Sequence, residues 1–160
     1  MSLTIERTAV HNTFVIERNY PATPERVFAA FADPVKKRRW FADSAAHQVE
    51  KFEMDFRVGG AERSRYSYKE GSPIPGGIIT NDGWYLDIVP NSRIVCAHSM
   101  AFGDQPFSAS MVTFEFVPAE HGTDLKLTHQ GAFFEGADGP QMREAGWRSL
   151  LERFASELTR

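Results

Sequence analysis

The end of the chain sets the tightest constraint. After Asp138-Gly139-Pro140, the residues Met142, Trp147, Leu150, Leu151, Phe154 and Leu158 recur at helical spacing to the terminus. The opposite face carries Arg143, Glu144, Arg148, Glu152, Arg153 and Glu157. A helix of about five turns with one apolar stripe must bury that stripe against a second layer. Gly146 sits inside it, where glycine costs about 1 kcal/mol relative to alanine. The sequence therefore predicts a close approach by another backbone or a bulky side chain at Gly146, and a deep seat for Trp147.

The second layer has to come from residues 45–130, where the pattern is strand and turn. Ala46–Phe52 reads as a strand, with Asp55-Phe56-Arg57-Val58 following before Gly59-Gly60 breaks or bulges the chain ahead of Arg63–Tyr68. The stretch 71–77 is a Gly- and Pro-filled loop. Strands are predicted at 78–89, 93–102, 108–117 and 123–130, with a bulge or tight turn at Asn81-Asp82-Gly83. Pro90-Asn91-Ser92 and Ala119-Glu120-His121-Gly122 read as hairpin connections, so a meander is the simplest topology. Upstream, 1–12 reads as a lead-in and Thr13–Arg18 as the first strand. Thr23-Pro24-Glu25 and Asp33-Pro34 are helix starts: a capping oxygen, then proline where no N–H is needed. The first helix has an apolar face at Val27, Phe28 and Phe31, and the second runs to about Trp40-Phe41. Residues 13–160 are expected to form a single α+β domain, a curved antiparallel sheet around the final helix.

In this order the elements resemble the helix-grip superfamily of START lipid-transfer domains and the birch-pollen allergen. Local motifs are closer to one branch. They include Pro24-Glu25-Arg26-Val27-Phe28, Asp33-Pro34 with Trp40-Phe41, Asp55-Phe56-Arg57-Val58-Gly59-Gly60, and Asp87-Ile88-Val89-Pro90. Val112–Phe116, Gly122–Leu125 and Gly146-Trp147 extend the set. That branch is similar to the C-terminal domain of the activator of heat-shock protein 90 ATPase, and the resemblance spans roughly residues 13–158. It implies a helix-grip fold with an internal cavity, and it names a chaperone as a candidate partner. In the eukaryotic cochaperone a separate N-terminal domain contributes to chaperone activation. Nothing upstream of Phe14 resembles it, so stimulation of ATPase turnover is not expected of this chain.

Composition removes other function classes. The net charge is −3 and the one dense basic run, Lys36-Lys37-Arg38-Arg39, is short and followed by Trp40-Phe41. It reads as the solvated face of a short helix rather than a phosphate-tracking surface, so no nucleic-acid partner is expected. No apolar run is long enough for a membrane span and no segment has the layout of a signal peptide, so a cytoplasmic location is expected. Cys96 is the only cysteine and cannot form an internal disulfide. His11, His47, His98, His121 and His129 lack the close pairing of metal ligands, and no metal or cofactor is expected. No Gly-x-Ser-x-Gly elbow or phosphate-cradling loop is present. The pairs Asp87 with Tyr85, and Glu115 with Arg57, read as cross-strand partners more readily than as acid–base pairs.

The aromatic set is more informative: 13 Phe, 4 Tyr and 3 Trp come from almost every element. A long helix gripped by a curved sheet leaves a gap, which such rings either fill or line. By strand alternation Ile94, Cys96, His98 and Met100 share one face, as do Leu125, Leu127 and His129. The histidines could close one polar end of a cavity, although each reads first as a hydrogen-bonded structural residue. The expected lining is Trp40, Phe56, Tyr66, Tyr68, Trp84, His98, Met100, Phe114, His129 and Trp147. The leading expectation is binding of a small apolar or amphipathic ligand without catalysis. A cochaperone-like interaction module is the alternative, and a cyclase or hydrolase using His98 or His129 a third. Monomer and homodimer both remain open.

Overall fold

The computed structural model describes residues 8–45, 47–72 and 75–160. Seven strands, β1 (Val10–Tyr20), β2 (His47–Met54), β3 (Ala61–Tyr68), β4 (Ile78–Val89), β5 (Arg93–Phe102), β6 (Gln105–Ala119) and β7 (Gly122–Phe133), form one antiparallel sheet. Their order is β1-β7-β6-β5-β4-β3-β2, a meander from β2 to β7 with β1 added beside β7. Between β1 and β2 lie helices α1 (Pro24–Ala32) and α2 (Pro34–Lys37) and a π-helical turn, Arg38–Ala42. The long helix α3 (Pro140–Glu157) completes the helix-grip α+β architecture. The expected Ala46 and Pro73-Ile74 fall outside the described residues, as do residues 1–7 of the lead-in.

Both proline-led helix starts are capped. Thr23 Oγ1 accepts from the Arg26 N–H at 3.3 Å, and Asp33 Oδ1 accepts from Val35 and Lys36 at 2.8 and 3.3 Å. Past α2 the chain widens into the π turn, where the Asp43 N–H reaches Arg38 O at 2.9 Å. That extra residue turns Trp40 inward, and its indole N–H donates to Ala30 O at 2.8 Å.

Three local expectations change. Val10–Asn12 belong to β1 rather than the lead-in, because β7 runs on to Phe133 and offers them partners from Phe133 to Gly131. Asp55–Val58 form the turn into β3, with Gly59 at a left-handed φ of 84°. At Gly60 a Cβ would lie 2.0 Å from Asp55 O, so only glycine fits that turn. Asn81-Asp82-Gly83 is neither a bulge nor a turn: Ile79–Tyr85 pair in unbroken register with Phe102–Cys96, and the irregularity comes only after Tyr85.

The interior has two unlike halves. Under α1 and the C-terminal half of α3, Phe31 packs against Trp40, Phe114, Phe116 and Phe154 with centroids 4.9–5.2 Å apart. Ile16, Val27, Leu125, Leu127 and Leu151 fill the space around them, and the Tyr20 hydroxyl donates to Leu151 O at 2.9 Å. This half is solid. The other half, under the N-terminal part of α3, is not.

Candidate functional site

The hollow follows from which side chains the register brings together. Paired residues of adjacent strands share a face, so inward positions form rows across the sheet. One row reads Glu62, Gly83, His98, Ser110, Gly131, Asn12 from β3 to β1. Its neighbour reads Tyr85, Cys96, Val112, His129, Phe14. On the other side runs Ser64, Asn81, Met100, Ser108, Phe133. Small residues (Gly83, Ser110, Gly131, Ser64 and Ser108) leave space among the large ones, and α3 bridges a cavity of about 520 Å³.

Two of the small residues seat the two histidines. A Cβ on Gly83 would come within 2.6 Å of His98 Nδ1, and one on Gly131 within 2.8 Å of His129 Cε1. Any other residue would push the ring away. His98 is held by Asn81 Oδ1 at 3.0 Å from Nδ1 and by Cys96 Sγ at 3.2 Å from Nε2. With Nδ1–H donating to Asn81, Nε2 is the acceptor toward the thiol. His129 is held differently, by stacking on Phe14 at 4.6 Å and 5° and by Phe133 at 6.1 Å. Its buried Nδ1 has no hydrogen-bond partner among the described residues.

Both imidazoles are neutral at physiological pH. Burial pushes His98 down to about 4, against the pull of the Glu62 carboxylate. Burial, reinforced by the Arg143 guanidinium, likewise pushes His129 down to about 4. Burial pushes the Cys96 thiol up to about 12, so the Cys96–His98 contact joins two neutral groups and is no thiolate–imidazolium pair.

The rims carry the charge. Arg143, on the first turn of α3, forks onto both Asp138 oxygens at 2.8 and 2.9 Å, donates to Ser108 Oγ at 2.9 Å and lies over the Phe133 ring. Farther along α3, Arg153 donates to Arg39 O at 3.2 Å. Met142 and Gly146 line the cavity from the exposed side of α3. A Cβ on Gly146 would meet nothing within 4 Å, so the close approach expected there does not occur. This glycine leaves open space at the cavity rim.

Of the residues expected to line the cavity, Tyr66, Tyr68, His98, Met100, His129 and Trp147 do so. Trp147 stacks on Phe41 at 5.8 Å and meets Phe114 edge-on at 5.7 Å. Trp40 and Phe114 are core residues of the solid half. Phe56 packs between Phe28 and Tyr85, behind the wall. Trp84 is a correction: it alternates with inward-facing Gly83 and Tyr85, is 48% exposed on the outer face and lies under the Arg63 guanidinium.

Sequence reasoning missed a buried polar cluster behind His98. Lys37 Nζ lies 2.7 and 2.9 Å from the two Glu62 oxygens, and the Tyr85 hydroxyl donates to Glu62 Oε2 at 2.9 Å. Burial works to raise the Glu62 carboxyl, and the Lys37 ammonium with the Tyr85 hydroxyl brings it below the usual carboxylate range. Lys37 is thus no part of a solvated face: it sits three residues before Trp40 on the same side of the helical turn. The signal for Glu62 was its β-strand phase, two residues from Ser64 and four from Tyr66. Asp87, expected beside Tyr85, pairs instead with Arg93, and Arg57 pairs with Asp55. Among the described residues no group of side chains is arranged to hold a metal ion, and no helix is long and apolar enough to cross a membrane.

Solved structures share this architecture over nearly their full length. An uncharacterized protein of Rhizobium leguminosarum is 35% identical, with 97% of this chain and 99% of that one covered at a TM-score of 0.89. The Mll3558 protein of Rhizobium loti is 48% identical, with 94% and 99% covered at a TM-score of 0.84. An AHSA1-like protein of Aeromonas hydrophila, 23% identical with 92% of each chain covered, shares the fold at a TM-score of 0.65. No functionally curated protein matches the chain. Among protein-family models, that described as "Activator of Hsp90 ATPase homolog 1-like protein" matches residues 21–159.

Proposed function

Because the chain belongs to the Activator of Hsp90 ATPase homolog 1-like family, in which a curved sheet grips a helix, we propose that it binds a small apolar or amphipathic molecule between the two. The observation that carries this reading is the hollow of about 520 Å³, walled by rings and floored by a few polar groups. Tyr66, Tyr68, Met100 and Trp147 supply apolar contact, and His98 and His129 the polar floor. Binding proceeds without chemistry on the ligand. The buried Cys96 thiol and both imidazoles are held neutral, so none is set up as an activated nucleophile or a strong base.

The test is titration with N-phenyl-1-naphthylamine, a neutral fluorescent probe, into wild type and Gly146→Leu. Saturable one-site binding is expected in wild type and its loss in the variant, whose side chain projects into the rim. No saturable binding to wild type would end the reading.

A cochaperone-like role is the second reading, favoured by the family's description. Dose-dependent, several-fold stimulation of a heat-shock protein 90 ATPase by the purified chain would move the function there. Equal stimulation by Gly146→Leu would separate it from the cavity.

A further inference from the structure

Among the described residues that line the cavity, the carboxylate and guanidinium groups belong to Asp138, Arg143 and Arg153. The first two satisfy each other: Arg143 forks onto Asp138 at 2.8 and 2.9 Å and uses a further N–H on Ser108. Arg153 stands ten residues farther along α3, about 15 Å away at the other end of the hollow. It follows Gly146 and Leu150 on the helix face that bounds the cavity. Its one hydrogen bond among the described residues runs from Nη2 to the Arg39 carbonyl oxygen at 3.2 Å. Glu157, one turn farther on, is taken by Arg39 and Arg160 instead. The Arg153 side chain is half-buried, and none of its nitrogens is both sealed from solvent and unpartnered, so the free N–H groups are open to a ligand. The cavity therefore has a neutralised end and a cationic end.

Resting on the cavity-binding reading, we infer that the ligand is an amphipathic monoanion, its apolar body in the hollow and a single carboxylate on the Arg153 guanidinium. A carboxylate accepts two parallel N–H bonds from such a fork. A guanidinium set among apolar neighbours such as Leu150 and Trp147 pulls on an anion more strongly than one in bulk water. One free guanidinium balances one charge. A phosphate monoester brings a second, for which the wall has no free guanidinium, because Arg143 is held by Asp138. An ammonium group meets the opposite obstacle: Asp138 is already forked, and Arg153 repels it.

Three probes of similar shape separate the charge states: 2-naphthoate, neutral 2-naphthamide and cationic 2-naphthylmethylammonium, titrated at neutral pH and low salt in competition with N-phenyl-1-naphthylamine. The expected result is 2-naphthoate binding about tenfold more tightly than the amide, the ammonium weakest, and a gap that narrows as salt is raised. In Arg153→Gln the anion's advantage should vanish while the amide binds as before, which also shows that the variant is folded. Arg153→Lys should keep part of that advantage. In wild type the Arg153 Nε–H resonance should shift with 2-naphthoate and not with the amide, a readout that needs no variant. Equal binding of naphthoate and amide, tightest binding by the ammonium, an unmoved Nε–H, or an anion preference that survives Arg153→Gln overturns the inference and leaves the cavity reading intact. The inference also falls if the fluorescent probe binds and 2-naphthoate fails to displace it. If the fluorescent probe itself does not bind, the cavity reading falls and takes the inference with it.

Discussion

Lys37 and Glu62 are each about 5% exposed, which places a full ion pair in the interior. Removing one partner strands the other without water, a loss of roughly 3–5 kcal/mol, whereas removing both charges is far cheaper. Lys37→Met should therefore lower the unfolding free energy by that amount, and adding Glu62→Gln should recover most of it because the Tyr85 bond survives. Denaturant unfolding of the three proteins checks the cycle; a mild Lys37→Met variant would mean that water reaches Glu62. Cys96 makes a kinetic test at the same scale. With its thiol pushed up to about 12 and its sulfur buried, the native protein should react with a thiol reagent only as fast as it opens. Rapid labelling at neutral pH would refute that.

At the scale of elements, α3 divides its work along its length. Trp147 is 8% exposed and wedged between Phe41 and Phe114, so Trp147→Ala should cost roughly 3–5 kcal/mol. A melting temperature within about two degrees of wild type would place the indole outside the core. One residue earlier the sign reverses. Gly146 is helical with open space beside it, so Gly146→Ala should stabilise the protein by about 1 kcal/mol, measurable as a raised melting temperature. Sequence spacing revealed the helix and its stripe, because a repeat near 3.6 residues is a property of the chain alone. It misread Gly146, because whether a glycine accommodates a neighbour or an empty space depends on another element. Strand alternation likewise put His98 and His129 inward, yet it could not show that Gly83 and Gly131 lie where they make room for them. Trp84 went wrong because its aromatic character, not its strand phase, put it in the expected lining; β4 keeps register from Ile79 to Tyr85, which turns that indole outward.

For the molecule as a whole, the buried imidazoles make stability depend on pH. Both titrate near 6.5 when unfolded and at about 4 in the native state, so between those values the unfolded chain binds more protons. Stability should be full above about pH 6.5, fall as pH drops toward 4, and lose a few kcal/mol over that window. Glu62, held below the usual carboxylate range, adds a loss of the same sign at lower pH. His98→Asn with His129→Phe should flatten the dependence between pH 6.5 and 4; an unchanged slope in urea midpoints against pH would assign it to other groups.

The division of the interior into a packed half and an empty half has an evolutionary consequence. Residues that fill the packed half, such as Phe31, Phe116 and Phe154, do not line the hollow, and Trp147 is an exception that serves both. Mutational drift in the more exposed part of the lining is thereby largely released from the penalty of unfolding. A lineage could exchange Tyr68, Met100 or Met142 and acquire a new binding preference while inheriting the same scaffold. Closely superimposable descendants of one ancestor need not share a ligand.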